Sequence, residues 1–251
     1  MTNTINSELV LIGCIFETFI LIIATILTLL IFKKYRAKKH ELALLLFIIF
    51  VNWSIAIVFS WLSKIIILTT EIDYIYNQPN VKYPNTVGYW FLLRIVDFRI
   101  SLTFVAIGII FSYILKVGIF EKGYNQVHKI MVFTFGAYTL IFSIFIYERG
   151  NTLLDAISFL NVLILLIAIY VPFMVRCYMS YRVVDDPSYK KAFLSLVIMS
   201  LSFILLSFNL LIDRVLILFG NPGFSVFYFM AWIWLIIGMT GAYLGFIKPK
   251  E

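Results

Sequence analysis

The sequence has little charge, few histidines and few cysteines. Charged residues make up 13% of its 251 residues and hydrophobic residues 63%, whereas a soluble domain is about 25% charged and about 45–50% apolar. A water-soluble fold of this size could not hide so much apolar surface, because a large share of any folded surface is polar and wetted. The composition therefore excludes a soluble globular domain and predicts a protein embedded in a bilayer.

The two histidines, His40 and His128, lie outside the long apolar runs. This placement excludes haem held between two histidines inside a helix bundle and argues against a histidine-based hydrolase in the membrane. Cys14 and Cys177 fall near opposite ends of the membrane spans, so we expect no disulfide between them. The sequence has no H-E-x-x-H or C-x-x-C motif. We therefore expect no catalytic residue, no metal and no cofactor.

Seven apolar runs are long enough to cross a bilayer, which takes about 20 residues in a helix. Each must be helical, because lipid offers no partner for unpaired backbone groups. The predicted fold class is thus all-α, a single seven-helix membrane domain. The predicted spans are residues 9–32, 42–69, 89–115, 130–147, 153–175, 192–219 and 224–247.

The basic residues are distributed unevenly among the connections. Fourteen of the 20 Lys and Arg residues follow the first, third, fifth and seventh spans, and only Lys82 and Arg149 lie in the opposite loops. The positive-inside rule places the basic loops in the cytoplasm, the N-terminus outside and the C-terminus inside. These loops are expected to contact anionic lipid headgroups. Nucleic acid is not an expected partner, because the basic residues form no single exposed stripe.

One long connection, residues 70–88, lies on the outer side. It contains three Tyr, two Pro and several Asn residues, and it cannot continue a helix through Pro79 and Pro84. Two interpretations stay open. The segment folds over the outer mouth of the bundle as a lid, or it is a turn-rich connector.

Eight charged residues fall within the predicted spans. With the orientation above, all eight lie in the outer half of the bilayer, about 3–12 Å below its boundary at about 1.5 Å per residue. An unpaired charge at the centre of a span costs about 2.5–3.5 kcal/mol, so these residues should pair, face water or reach the headgroups. They are Glu17, Lys64, Arg94, Asp97, Arg99, Asp155, Asp213 and Arg214.

The third span shows how such charges could pair. Arg94 and Asp97 are i,i+3 neighbours and are predicted to pair on one helical face. Arg99 points about 200° around the helix from Asp97, so it needs a partner on another helix or a headgroup. Polar stripes recur on the fifth and sixth spans, at Asp155, Ser158 and Asn161 and at Asn209 and Asp213.

Polar faces on several helices at one depth predict an outward-facing polar pocket for a small polar or ionic ligand. The alternative is that the charges are fasteners between helices or extend to the interface. The candidate ligand-binding residues are Glu17, Lys64, Arg94, Asp97, Arg99, Asp155, Asn161, Asn209, Asp213 and Arg214. Tyr228 and Trp232 fit an outer aromatic belt, or else the lining of such a pocket.

The seventh span carries small residues at helical spacing. Gly238, Gly241 and Gly245 allow a neighbouring helix to approach closely and are predicted to be packing positions. The alternative is a face for a homo-oligomer. This span has no lysine midway along its length. Retinal binding of the microbial rhodopsin type is therefore not expected, because the covalent anchor is missing.

In topology, with seven spans, an outer N-terminus and a basic cytoplasmic side, the chain resembles the seven-helix N-terminal sensor modules of prokaryotic histidine kinases. The resemblance implies a membrane sensor in a prokaryotic cell membrane. No kinase domain follows Ile247, so we expect a receptor-like protein that signals to a separate cytoplasmic partner.

Two other functions stay open. One is a small transporter or channel subunit that uses the intramembrane carboxylates to couple protons or cations. The other is a membrane-embedded lipid enzyme, which the lack of a nucleophile–base constellation disfavours.

Overall fold

The computed structural model describes residues 7–39, 41–79, 81–120 and 126–247, which form helices and no strand. The helices are α1 (Ser7–Lys38), α2 (Glu41–Thr69), α3 (Val87–Val96), α4 (Arg99–Phe120), α5 (Gln126–Phe145), α6 (Thr152–Val183), α7 (Pro187–Leu218) and α8 (Val226–Ile247). Every one of these except α3 is long and apolar enough to cross a membrane. The prediction of an all-α fold with seven membrane-crossing helices is confirmed in these respects.

The third predicted span, residues 89–115, is wrong as a single helix. The chain forms the short helix α3, breaks at Asp97 and Phe98, and then forms α4. Phe98 has a left-handed backbone conformation, with φ of 61°, which a bulky residue adopts only where the surrounding packing holds it. Its ring is buried and stacks on Tyr74 at 5.8 Å between ring centres. Hydropathy alone cannot show this break, because both sides of it are apolar.

Five helices extend beyond their predicted spans at the end of the bundle that carries most basic residues. The predicted spans stop near the charged residues, but α1 runs to Lys38, α4 to Phe120 and α6 to Val183. In the same way, α5 begins at Gln126 and α7 at Pro187. Lysine and arginine are good helix formers, so the helices continue past the apolar stretches. Lys116, predicted to lie in a loop, is inside α4 and is buried against the Tyr113 ring. We call this end of the molecule the basic end.

Six of the long helices form a closed ring. Contacts run from α1 to α2, from α2 to α4, and from α4 through α6 and α7 to α8, which returns to α1. The remaining long helix, α5, packs against α4 and α6. Residues from all parts of this ring form one apolar core, in which Phe50, Tyr113, Leu165 and Phe203 are almost fully buried.

The three glycines of α8 lie against α7. A Cβ atom at Gly238 would lie 2.7 Å from the Phe203 ring, and one at Gly241 would lie 2.9 Å from the Ser195 carbonyl oxygen. At Gly245, a Cβ would overlap the Leu196 side chain. The small residues thus allow α7 and α8 to approach closely, as expected of such a stripe in a membrane helix pair.

Replacement of Gly241 by alanine should lower the stability of the protein by about 1–3 kcal/mol, the usual cost of overpacking a core. The added methyl group would press on backbone atoms of α7, at Ser195 and Met199, which cannot rotate away. Thermal unfolding in a single detergent would measure the effect. Gly88→Ala is the matched control, because nothing lies within 4 Å of a Cβ at that position. Equal stability of the two variants would contradict the packing described.

Residues 70–79 fold across the end of the bundle opposite the basic end, and we call this segment the lid. Tyr74 is buried, and its hydroxyl shares a hydrogen bond of 2.8 Å with Ser63 Oγ in α2. Asn77 donates from its backbone to Thr152 Oγ1 and from its side chain to the Ile217 carbonyl, both at 2.9 Å. The lid therefore ties together the ends of α2, α6 and α7. Of the two interpretations of this connection, the structure favours the lid.

Replacement of Asn77 by glycine should loosen the lid without straining its backbone. Asn77 has φ of 56°, which glycine adopts freely, so the substitution removes the side-chain hydrogen bond and adds backbone freedom, which the glycine control below also adds. Loss of a bond of about 1 kcal/mol should speed amide hydrogen exchange about fivefold in residues 70–79. Exchange mass spectrometry on protein in micelles would measure this, with the exposed Asn85→Gly variant as control. An unchanged exchange rate would show that this bond does not hold the lid.

Candidate ligand site

Glu17 and Lys64 form a buried ion pair between α1 and α2. Lys64 Nζ lies 2.9 Å from Glu17 Oε1, and neither side chain is exposed to solvent. Ser60 Oγ donates to the same oxygen at 2.8 Å, and so does the hydroxyl of Tyr228 from α8. Ser60 and Lys64 are i,i+4 neighbours, so α2 presents both groups on one face. This cluster joins three helices near the lid.

Arg99 and Asp155 form a second buried pair, between α4 and α6. Arg99 Nε and Nη2 donate to Asp155 Oδ1 at 3.0 and 2.8 Å. Its Nη1 donates to Ser158 Oγ, a member of the predicted polar stripe, and to the Ile146 carbonyl at 3.4 Å. Of the two partners expected for Arg99, a residue on another helix or a lipid headgroup, the structure shows a residue on another helix, Asp155 of α6.

The predicted pairing of Arg94 with Asp97 is wrong, because each residue has other partners. Arg94 Nε donates to the Ile144 carbonyl at 2.7 Å, and Nη1 donates to the Trp90 carbonyl at 3.1 Å. The guanidinium group also lies 3.9 Å from the centre of the Trp90 ring, a cation–π contact. Arg94 is thus held by carbonyl groups and an aromatic face.

Asp97 faces the connection between α5 and α6 instead. Its Oδ2 accepts a hydrogen bond of 2.6 Å from the Tyr147 hydroxyl and lies 3.9 Å from Arg149 Nε. Arg94 and Asp97 do not share one helical face, because α3 ends at Val96 and Asp97 lies outside the helix. Arg149, which the sequence analysis placed in a loop, is buried and also donates to the Asp73 carbonyl in the lid.

Arg214 makes one long side-chain hydrogen bond and one distant ion pair. Its Nη1 donates to the Tyr76 hydroxyl at 3.5 Å, its Nη2 lies 4.0 Å from Asp213 Oδ2, and its Nε makes no hydrogen bond. Asp213 Oδ1 accepts from the Ser225 backbone at 2.9 Å and from the Ser225 hydroxyl at 2.7 Å. The aspartate is therefore engaged at the start of α8, and Arg214 instead faces the rings of Phe98 and Phe159, about 5 Å away.

The two candidate asparagines are buried separately from the ion pairs. Asn209 Nδ2 donates to the Leu205 carbonyl of its own helix at 2.7 Å. Asn161 Nδ2 has no hydrogen-bond partner. In the described ranges, no three His, Cys, Asp or Glu side chains lie close enough to bind a metal ion together.

A cavity of about 50 Å³ lies inside the helix ring, lined by α2, α4, α6, α7, α8 and Phe98. Its lid end carries Arg214, Ser60 and Tyr228, and residues such as Trp53 and Leu235 line it toward the middle of the bundle. Of the ten candidate ligand-binding residues, Arg214 alone lines this cavity; the other nine lie elsewhere. The cavity wall is therefore mainly apolar, with its polar groups concentrated near the lid.

The structure distinguishes the two interpretations of Tyr228 and Trp232, an outer aromatic belt or a pocket lining, because both are buried and line the cavity. Their i,i+4 spacing places them on one face of α8. Other residues of these clusters were not predicted. Ser60 could have been found from its i,i+4 spacing to Lys64. Tyr147 lies 50 positions from the aspartate it contacts, and no sequence signal points to it.

The lid brings two phenol groups to the top of the site. Burial raises the pKa of Tyr76 to about 12 despite the opposing effect of Arg214. Burial also raises the pKa of Tyr74 well above its ordinary value. Both hydroxyls are therefore neutral at physiological pH, and neither neutralises the charge of Arg214.

Comparison of the chain with family models, with curated proteins and with solved structures found no match. The function is therefore inferred from the geometry of the buried ion pairs, the lid and the cavity.

Proposed function

We propose that this protein is a receptor-like sensor of the cell membrane, with its N-terminus and lid outside and its C-terminus in the cytoplasm. The distribution of basic residues supports this orientation. A ligand would bind near the lid and shift the packing of the helices. The basic end would report the change to a separate cytoplasmic partner.

The observation that carries the proposal is the position of the cavity. Five membrane-crossing helices line it, and the Glu17–Lys64 cluster adjoins it through Ser60 and Tyr228. A ligand that prefers one arrangement of these helices would shift their equilibrium, which is what a sensor requires. If the buried charged residues exchanged partners, the helices would take discrete alternative packings, because a buried charge without a partner is costly.

Transport of protons or cations is less well supported by the polar groups toward the basic end. There, Thr28 bonds to Ser54 at 3.0 Å and Tyr170 to Ser112 at 2.8 Å. Asn52 donates to a carbonyl of its own helix. These hydroxyl and amide groups offer no chain of carboxylates through this half of the described bundle, which a relay of the kind considered above would need.

The basic end has a surface suited to anionic lipid. Phe32, Lys33, Arg36 and Ala37 line an open depression at the end of α1. Two cationic side chains beside an aromatic ring fit phosphate headgroups at a membrane surface. Such contacts would hold the basic end in place while the helices above it repack.

A homo-oligomer would place further copies of the chain alongside, and the lipid-facing sides of the helices are available for contacts between copies.

The proposal is tested by measuring whether the lid end controls helix spacing at the basic end. Spin labels at Ile130 of α5 and Val183 of α6, both exposed, report this spacing by pulsed electron resonance in nanodiscs. The Glu17→Asp variant keeps the charge but shortens the side chain, so it should weaken the contact with Lys64 and shift the distance distribution. Glu71→Gln, an exposed change in the lid, is the control.

A distance distribution that stays the same in Glu17→Asp and in the parent would contradict the sensor proposal. Steady proton flux into liposomes, lost in the same variant, would favour the transporter instead.

A further inference from the structure

The cavity inside the helix ring has the features of a site for an anion with an apolar body. This inference rests on the proposed function and names the class of ligand. The cavity volume of about 50 Å³ is several times the roughly 10–15 Å³ that one water molecule requires in such a measure. An occupant must therefore be compact, since the volume is too small for a two-chain lipid.

The first supporting observation is the unsatisfied bonding of Arg214. Arg214 is only 5% exposed and lines the cavity, and its Nε has no hydrogen-bond acceptor. Asp213 Oδ2, which makes no hydrogen bond, lies 4.0 Å from Arg214 Nη2, beyond hydrogen-bond distance, and Asp213 Oδ1 is bonded twice to Ser225. A buried guanidinium group without a close carboxylate is expensive unless an anion completes it.

The second observation is the balance of charge around the lid end. Among the described side chains buried there, five are basic and four are acidic, and Glu148 beside them is half-buried. The basic residues are Lys64, Arg94, Arg99, Arg149 and Arg214, and the acidic residues are Glu17, Asp97, Asp155 and Asp213. Arg214 is the residue of the five that lines the cavity, and none of the four acidic residues lines it.

The third observation concerns the remaining polar atoms of the wall. The indole Nε1 atoms of Trp53 and Trp232 are buried and make no hydrogen bond. Trp53 Nε1 lies next to Gly108 of α4 and Trp232 packs against Tyr228, and both tryptophans line the cavity. Indole and guanidinium groups donate and never accept. Together with the Arg214 guanidinium, these groups favour a ligand acceptor such as a carboxylate over an amine.

The rest of the wall fits a hydrocarbon body. Phe159 and Leu166 of α6, Leu206 and Leu210 of α7 and Leu235 of α8 line it. The charged group of the wall, Arg214, lies near the lid and most of the wall below it is apolar, which orients an amphiphilic molecule along the helix axes. We propose that the cavity binds a compact amphiphilic anion, with its charged group at Arg214 and its apolar body among α2, α4, α6, α7 and α8.

The test is equilibrium dialysis of the full chain in phosphatidylcholine nanodiscs against radiolabelled 3-phenylpropanoate. We expect saturable binding of one molecule per chain. The neutral analogue 3-phenylpropan-1-ol and the Arg214→Gln variant should each bind at least tenfold more weakly. Arg176→Gln removes an exposed arginine near the basic end of α6, away from the cavity, and should leave binding unchanged.

A second variant keeps the test decisive if Arg214→Gln fails to fold. Ser207→Phe fills the cavity from α7 and should abolish binding of both the acid and the alcohol. The inference is overturned if no acid binds saturably, if the alcohol binds as well as the acid, or if folded Arg214→Gln binds like the parent. Acid binding without any change in the Ile130–Val183 distance would overturn the sensor proposal alone. A distance shift in Glu17→Asp without acid binding would overturn the ligand class alone.

Discussion

Replacement of Lys64 by methionine is expected to lower the stability of the protein by about 3–5 kcal/mol, the usual cost of leaving one partner of a buried pair uncompensated. Glu17 would keep its hydrogen bonds from Ser60 and Tyr228 but lose the cation 2.9 Å away. Its surroundings contain no solvent to replace that charge. Thermal unfolding in detergent would measure the loss, with the exposed Lys82→Met variant as the control.

The double variant Glu17→Gln, Lys64→Met should recover most of the lost stability. A neutral glutamine still accepts hydrogen bonds from Ser60 and Tyr228, and removal of both charges often leaves a buried site as stable as before. If the double variant were as unstable as Lys64→Met, the loss would come from packing of the lysine stem and not from the uncompensated carboxylate.

Replacement of Arg99 by glutamine should cost a similar amount, because Asp155 would lose both of its hydrogen bonds from the guanidinium group. A double-mutant cycle with Asp155→Asn should give a coupling energy of about 0.5–3 kcal/mol, the range for residues in direct contact. The measurement is again thermal unfolding of the four proteins under one condition.

A parallel cycle on Arg94 and Asp97 provides the matched control. Like Arg99 and Asp155, these residues are an arginine and an aspartate, and they are close in sequence. However, Arg94 is bonded to carbonyl groups and Asp97 to Tyr147. Their coupling should be much smaller than that of Arg99 and Asp155. A larger coupling energy for Arg94 and Asp97 than for Arg99 and Asp155 would show that Arg94 and Asp97 lie on one continuous helix, without the break at Phe98.

The seven crossings could be predicted from the sequence because lipid imposes a length and a composition on each helix. The break between α3 and α4 could not, because it depends on burial of the Phe98 ring against Tyr74, a residue of the lid. The helix ends past the apolar runs were missed for a related reason. Hydropathy reports where lipid contact ends, and backbone hydrogen bonding continues beyond it.

The candidate site was predictable in part. The argument that intramembrane charges must find partners holds for Glu17, Lys64, Arg99 and Asp155, all of which are buried in ion pairs. Which residues pair was not predictable, since Glu17 and Lys64 are 47 positions apart in the sequence and meet only through helix packing. The apolar lining of the cavity was missed because its residues read as ordinary core positions on five helices.

The central claim is that charges near the lid pair with one another across helices in a buried layer. Solid-state NMR can test it by measuring the dipolar coupling between lysine ¹⁵Nζ and glutamate ¹³Cδ in the protein reconstituted into lipid bilayers. A direct contact, such as the 2.9 Å between Lys64 Nζ and Glu17 Oε1, predicts strong dephasing that disappears in Lys64→Met. Absence of a Lys64-dependent signal in the parent protein would contradict the claim.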